Sequence, residues 1–558
     1  MRTRGKSLLL LLAAFCLLHR ADGQVHLAGA DRAALLGTVA AGLGHAIAEG
    51  EPIKCGTPLI MSARAARSSL PLSAQAALEA LDARPSGPDT NQTSIVGNGF
   101  CIHFDTTGGN AAALLDAQHQ PIAGSARAFA DSVVSIMGTV VAEEIGVLGF
   151  EPPPTDGTLG GGPEYDIYVT NLGSEYGETA ADLFTGNGSR STTFITIDND
   201  FTFVVPDSNK GLPALRVTLA HEFHHAIQIG SYGYWADDVW FHEITSVWME
   251  DVVFTGVNDY YNYLWASWSQ FFNPETPLNS NDLIMYSRGI WGQFMTKKYG
   301  ADAMRHAWEA ARTVAPLQAL DQSLRTNSSV TLPQAFAEWC SWNAYTWTRA
   351  DADRYYPEGA AYPPMAEIHY DIPGGLREVD GTLPCLASKY YRLSSGVDTV
   401  AIIAVHSTMD CGTSQSPFTF FVSTSKWDDS YKPTQGGLFL KTSFPSGSDW
   451  VVWEEGSQGT VSASIAAEGT VFPNPLRVDG LSSAYIRADA QEAIVSIYSS
   501  NMTLVYQRDQ TAQTMLGRTV FTWTGCTTGG ERVASGIYIF VLNASGRTIR
   551  GKLAVVRK

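Results

Sequence analysis

The sequence predicts an α+β domain, a mixed sheet followed by a mostly helical subdomain, with C-terminal all-β sandwich modules behind it. Three observations predict this. Residues 96–200 mix period-two runs with one long amphipathic stretch, residues 239 to about 350 carry helical periodicity, and beyond 376 short apolar runs alternate with Gly, Ser, Asp and Pro. At 558 residues the chain is too long for one hydrophobic core.

The elements follow in order. Arg2, Arg4 and Lys6 precede an apolar run from Ser7 to Leu18, and Ala21 and Gly23 place small residues at a cleavage position. Residues 1–23 therefore read as an export signal whose apolar run is too short to span a bilayer. No later segment is apolar for long enough to be a transmembrane helix. In residues 24–95, Ala34, Leu35, Leu36, Val39, Leu43, Leu78 and Leu81 fall near helical spacing, and the stretch closes on Arg84-Pro85-Ser86-Gly87-Pro88. Its position suits a helical leader or propeptide, and a small helical support domain is the alternative.

Residues 96–355 form the next predicted domain. Phe100–Thr107, Tyr165–Leu172 and Thr192–Asp200 alternate like strands, and Ala126–Phe150 is amphipathic with helical period. Helical periodicity returns in Ala214–Gly230, with Gly230 as the expected stop. The Pro-, Gly- and Tyr-rich residues 355–375 read as a linker, residues 376–468 as a β-sandwich, and residues 471–558 as a second, Ig-like sandwich.

Hydrophobic residues make up 45% and charged residues 16%, which suits globular domains. The net charge is −18, so nucleic acid and anionic lipid are excluded as natural partners by repulsion. Loss of Cys16 with the signal leaves Cys55, Cys101, Cys340, Cys385, Cys411 and Cys526. An even number in an exported chain permits disulfides, and proximity suggests Cys55–Cys101 and Cys385–Cys411. No CxxC pair is present.

The chemistry concentrates in His221-Glu222-Phe223-His224-His225. Histidines at i and i+4 of a helix project from one face a turn apart, the spacing two zinc ligands need. Glu222 is placed to take a proton from a water activated by the metal, the mechanics of H-E-x-x-H. His224 points away from the His221/His225 face and is expected to pack or support. A third ligand is needed, and Glu243, 18 positions beyond His225, suits a helix, a turn and an antiparallel return. Glu250 on the same face is expected to orient a ligand. His242, Asp237 and Asp238 are competing ligands. Cys55 has a second candidate role, as a zinc ligand enforcing latency if the leader is inhibitory. Asp198 and Asp200 offer a candidate structural Ca2+ site, or a solvated turn.

The segments His221–His225 and Trp240–Asp251 resemble the gluzincin metalloproteases, in whose aminopeptidase branch the zinc helix is followed by a W-L-N-E-G-x-A-x-x-x-E helix. Glu243 falls on the ligand Glu of that pattern and Glu250 on the later acid, while His242 replaces Asn and Ile244 replaces Gly. The G-A-M-E-N motif is missing, so the resemblance is to the zinc scaffold and not to aminopeptidase activity. The group's Y-x-K-G pattern is similar to Tyr286-Ser287-Arg288-Gly289, which implies Tyr286 as the oxyanion-stabilising donor, with Tyr232, Tyr234, Tyr260 and Tyr261 as competitors. Residues 50–350 also resemble a family of secreted bacterial proteins grouped as metalloproteases by motif, through Lys54-Cys55-Gly56-Thr57-Pro58 and Thr218–Gln228 among others. The tail resembles type IX secretion sorting domains and FlgD-like Ig domains through Phe472-Pro473-Asn474-Pro475, Gly536–Ala544 and Lys552–Lys558, with Trp523-Thr524-Gly525 where W-D-G is usual.

These readings combine into a secreted, extracellular or cell-surface zinc peptidase with one Zn2+ per chain. His221, His225 and Glu243 are its ligands, Glu222 its base and Tyr286 its oxyanion donor. Its substrate is a peptide or protein, and its tail engages secretion machinery or the cell surface. The alternatives are a non-catalytic surface or adhesion protein with a degenerate metal site, and a metal-dependent hydrolase of a non-peptide substrate.

Overall fold

The computed structural model describes residues 29–43, 52–82, 84, 92–370, 384–393 and 471–557, with short gaps at 473–475, 479–482, 516–517 and 545; between 394 and 470 it describes only the backbone of four strands. The described residues fall into two compact units, one running to 368 and including 384–390, the other taking the remainder. The export signal and Cys411 lie outside the described residues.

The first unit begins with helices α1 (Gly29–Gly42), α2 (Thr57–Ala65) and α3 (Leu72–Asp82). Leu36, Val39, Ile60, Leu70, Leu78 and Leu81 bury against one another at their shared face. A five-stranded sheet follows, built from β1 (Gln92–Gly97), β2 (Phe100–Asp105), β3 (Tyr165–Val169), β4 (Gly177–Ala181) and β5 (Thr193–Ile197), in the order β1-β2-β3-β5-β4. Asn98 and Gly99 both take positive φ, which closes β1 and β2 into a tight hairpin. β3 runs parallel to β2 and β5, and β4 returns antiparallel at the sheet edge. Helix α4 (Ala126–Val141) packs Phe129, Val133 and Met137 into the core beside the sheet.

Helix α5 (Leu212–Ile227) carries the H-E-x-x-H segment. Apolar residues on all its sides leave it buried from Val217 onward, packed on β4, β5 and α4. Gly230 does not stop it. The chain continues as a π-helical turn over Gln228–Tyr232 and ends at Gly233, where φ is 101° and a Cβ would strike the Gly188 carbonyl. Helix α6 (Val239–Val253) packs along α5 and is buried from Val239 to Glu250. A short turn α7 (Tyr261–Leu264), a 3-10 segment Leu283–Arg288 and helices α8 (Ile290–Tyr299), α9 (Asp302–Ala311), α10 (Pro316–Ser328) and α11 (Leu332–Asn343) complete the helical part. Residues 355–365 are anchored in the core, not the linker their composition suggests: Tyr356 and Tyr362 are fully buried, and Asn343 and Tyr260 satisfy their hydroxyls.

In the second unit, β6 (Ile368–Tyr370) pairs with β7 (Tyr391–Leu393). Strands β8 (Thr399–Val405) and β11 (Trp450–Gly456) form one antiparallel pair, and β9 (Phe418–Thr424) and β10 (Leu438–Phe444) another. The tail holds β12 (Val471–Phe472), β13 (Leu476–Arg477), β14 (Ala484–Arg487), β15 (Glu492–Ser499), β16 (Leu504–Thr511), β17 (Gln513–Met515), β18 (Arg518–Trp523), β19 (Gly536–Ala544) and β20 (Arg547–Val556). They form two sheets, β12-β14-β18-β17 and β13-β20-β19-β15-β16. Ile486, Phe521 and Trp523 from one sheet meet Val495, Phe540 and Leu553 from the other, which makes this a β-sandwich.

Candidate metal centre

Helix geometry aims two imidazoles at one point. His221 and His225 lie one turn apart on α5, and their Nε2 atoms are 3.1 Å apart. Each ring is held from behind. His221 Nδ1 donates to Glu250 Oε1 at 2.8 Å, and His225 Nδ1 to Gln228 Oε1 at 2.8 Å. With Nδ1 so engaged, each ring turns its Nε2 inward, the atom a metal would take.

Glu243 enters from α6. Its carboxylate oxygens lie 3.0 Å from His225 Nε2 and 3.4 Å from His221 Nε2. Both oxygens are buried with these two rings against them, a place that favours positive charge. Burial lowers the His221 pKa, but Glu243 and Glu250 outweigh that and raise it to about 10. Burial raises the Glu243 pKa, but His225 and His221 outweigh that and bring it to about 2. The centre thus calls for positive charge. Cys55 joins it: its Sγ and the donor atoms of His221, His225 and Glu243 all lie within 4.8 Å of one another. A buried set of two imidazoles, a carboxylate and a thiol matches the N, O and S donors that hold Zn2+ tetrahedrally.

Glu222 lies beside the donors. Its Oε2 accepts from Thr179 Oγ1 at 2.8 Å and from Thr57 Oγ1 at 3.4 Å, and its Oε1 is buried without a partner. Burial raises its pKa, with His221, His225 and Thr179 acting against the rise. Burial, then Glu243, Cys55 and Glu222, hold the Tyr286 hydroxyl well above its ordinary pKa. Tyr286 is therefore a neutral donor next to the centre. Tyr234 shares that position: burial and then Glu243 and Cys55 raise it, and its hydroxyl has no partner among the described residues.

The competing residues go elsewhere. His224 Nδ1 meets Glu144 Oε2 at 2.9 Å on the far side of α5, beside Phe150 and Trp308. His242 is not a ligand, because Gln228 Oε1 accepts from its Nδ1 at 2.9 Å and its Nε2 accepts from the Trp235 amide. Asp237 meets Asn187, and Asp238 accepts from the Trp240 indole. Asp198 spends its oxygens on the Leu172, Asp200 and Phe201 amides, and Asp200 caps Thr202. Neither joins a cluster of three or more His, Cys, Asp or Glu donors among the described residues, and their hydrogen bonds are those of a turn.

Two functional positions escaped sequence reasoning. Gln228 holds both His225 and His242, and its Nε2 donates to the His242 carbonyl, Thr245 and Ser246. Its place three residues after His225 was the available signal. Thr179, from β4, steadies Glu222 and had no sequence signal. The expected Cys55–Cys101 bridge does not form. Both thiols are free, and Cys101 belongs to a separate group with His103 and Asp166. Cys385 is free too.

Residues 479–547 match the FlgD Ig-like domain, in agreement with the sandwich at 471–557. The chain is similar to PorZ, an essential bacterial surface component of the type-IX secretion system of Porphyromonas gingivalis. That match has 28% identity over 19% of this chain and 15% of that one, with a TM-score of 0.13. It is also similar to dimeric latent PorU from Porphyromonas gingivalis, with 20% identity over 26% of this chain and 13% of that one and a TM-score of 0.14. The chain thus spans under a fifth of the length of either. No curated protein matches it. Among the described residues no helix is long and apolar enough to cross a membrane.

Proposed function

We propose that the first unit is a zinc-dependent peptidase. The observation that carries this reading is the convergence of His221 Nε2, His225 Nε2 and the Glu243 carboxylate beside an independently anchored Glu222. A bound zinc ion supplies Lewis acidity, which lowers the pKa of a water and polarises a carbonyl.

The chain's own groups do the rest. Glu222 takes the proton of the attacking water through its unpartnered Oε1, and hands it to the departing amine. Thr179 keeps that carboxylate from rotating away. Tyr286 donates toward the carbonyl oxygen as negative charge develops there. Glu250 and Gln228 fix the imidazole tautomers, so that Nε2 and not Nδ1 faces the metal.

The test is Glu222→Gln in the zinc-loaded protein. Zinc stoichiometry is expected to stay at one per chain while cleavage of casein or gelatin falls by about 10²–10⁴-fold. Retained cleavage would overturn the mechanism. A panel of ester and glycan-linked amide substrates separates the peptidase from a hydrolase of other bonds.

One observation favours a second reading. Cys55 fills the fourth place around the donor set, and a metal site with four protein ligands is closed, as structural sites are. A non-catalytic metal-binding surface protein would have this form. For the tail, the FlgD Ig-like match supports a role in export or surface attachment. Deletion of residues 471–558 is expected to leave metal binding unchanged and to abolish surface delivery in the native host.

A further inference from the structure

The residues around Cys55 lie along the free edge of the sheet. Ile53 N donates to the Ser174 carbonyl at 2.8 Å, Tyr176 N to the Ile53 carbonyl at 2.9 Å, and Gly56 N to the Gly177 carbonyl at 3.0 Å. The bridge between Ile53 and Glu175 is parallel. β4 is the terminal strand of its sheet, and such an edge is a template for an extended peptide. Ile53 to Gly56 run beside residues 174–177, which lead into β4, and Thr57 opens α2 with its side chain against Thr179 of β4.

Each residue of Lys54-Cys55-Gly56-Thr57 is individually fitted. The Lys54 ammonium lies 2.8 Å from Asp259 and 2.9 Å from Glu250. Cys55 faces His221, His225 and Glu243. A Cβ on Gly56 would collide with Glu175 Oε1. Thr57 Oγ1 accepts from Thr179 N at 2.8 Å and reaches Glu222. Upstream, Arg32 pairs with Glu175 at 2.9 Å and with Glu178, pinning α1 over the same edge.

We propose that Cys55 is the fourth ligand of the metal and that residues 52–57 plug the substrate groove, so that the chain folds as a latent enzyme. This rests on the peptidase reading above. The open position that a catalytic zinc site needs is the one Cys55 takes, and the edge an extended substrate needs is the one Ile53 and Gly56 take. Ligation releases the thiol proton to solvent. Activation breaks the sulfur–metal contact, returns a proton to sulfur and lets a water enter. Cutting the chain after residue 57, or pulling the segment off β4, would do this.

The experiment uses the full chain loaded with cobalt(II) in place of zinc. A thiolate-to-cobalt charge-transfer band in the near ultraviolet is expected in the wild type and is lost in Cys55→Ser. Iodoacetamide should leave Cys55 unmodified in the loaded chain and modify it after chelation, a measurement that needs no variant. Casein cleavage by zinc-loaded Cys55→Ser should exceed the wild type by about tenfold or more, and addition of Glu222→Gln should abolish the gain. Absence of the band together with alkylation of Cys55 in the loaded wild type overturns the inference. Equal cleavage by wild type and Cys55→Ser overturns the latency and leaves the peptidase reading standing. A chain cut after residue 57 that binds one cobalt but cleaves nothing overturns the peptidase reading, and the latency with it.

Discussion

The first unit and the tail sandwich bury their side chains by opposite rules. The first unit holds Arg32, Lys54, Glu144, Glu175, Glu178, Glu222, Glu243, Glu250, Asp259 and Arg288 out of water, together with four histidines from α5 and α6. In the described tail Arg487 is the one buried charged residue, and the core is Val, Ile, Leu, Phe and Trp. A buried charge costs several kcal/mol unless it is paired and hydrogen-bonded. A core of apolar contacts needs no such compensation. The first unit therefore carries a buried composition that only pairing compensates, and the tail is held by apolar packing. The prediction is that metal, pH and charge substitutions act on the first unit, and that volume substitutions suffice to disturb the tail.

The sharpest break between them is Glu222→Gln, which should abolish cleavage and leave both units folded by calorimetry. Metal removal comes next. Chelation should lower the unfolding temperature of the first unit alone, a loss of ~4 kcal/mol of stability if free zinc stood at 1,000 times its dissociation constant. Equal shifts in both transitions would erase the contrast. Phe540→Ala should cost the tail about 3–5 kcal/mol by leaving a cavity between its sheets, with metal content and cleavage unchanged. Gln228→Ala frees the His225 ring and should weaken metal affinity by about 10–100-fold, read by competition with a chelating dye.

The smallest effect is a pH effect on the first unit. Burial lowers the His103 pKa, but its 2.7 Å contact with Asp166 outweighs this and raises it to about 9. A raised histidine pKa contributes stability that is complete below its unfolded value near ~6.5. That contribution is lost as pH rises from there through about 9. Urea midpoints should fall across this window in the wild type and stay flat in His103→Gln.

Much of the centre was legible because it is local. His221, Glu222 and His225 are set by helical spacing within one turn, and Glu243 by the length of chain needed to come back antiparallel. Glu250 was legible as an orienting acid for the same reason. Gln228 was within reach, since it follows His225 by one turn. The Gly230 expectation failed because local propensity ignores what α5 is packed against, and the π-turn to Gly233 is stabilised by that packing. The linker expectation failed similarly: tyrosine-rich residues 355–365 read as irregular, and they are irregular, but Tyr356, Tyr362 and Met365 anchor them in the core.

The sequence by itself determined the periodicities that make α5 and α6, the ligands they carry and the two-sheet tail, because each depends on neighbours along the chain. Only the tertiary structure decided the fate of Cys55. It lies 166 positions before His221, and proximity in sequence favoured a bridge to Cys101. Pairing of residues 53–56 with residues 174–177 at the start of β4 brings the thiol to the histidines instead, through backbone hydrogen bonds that almost any sequence can make.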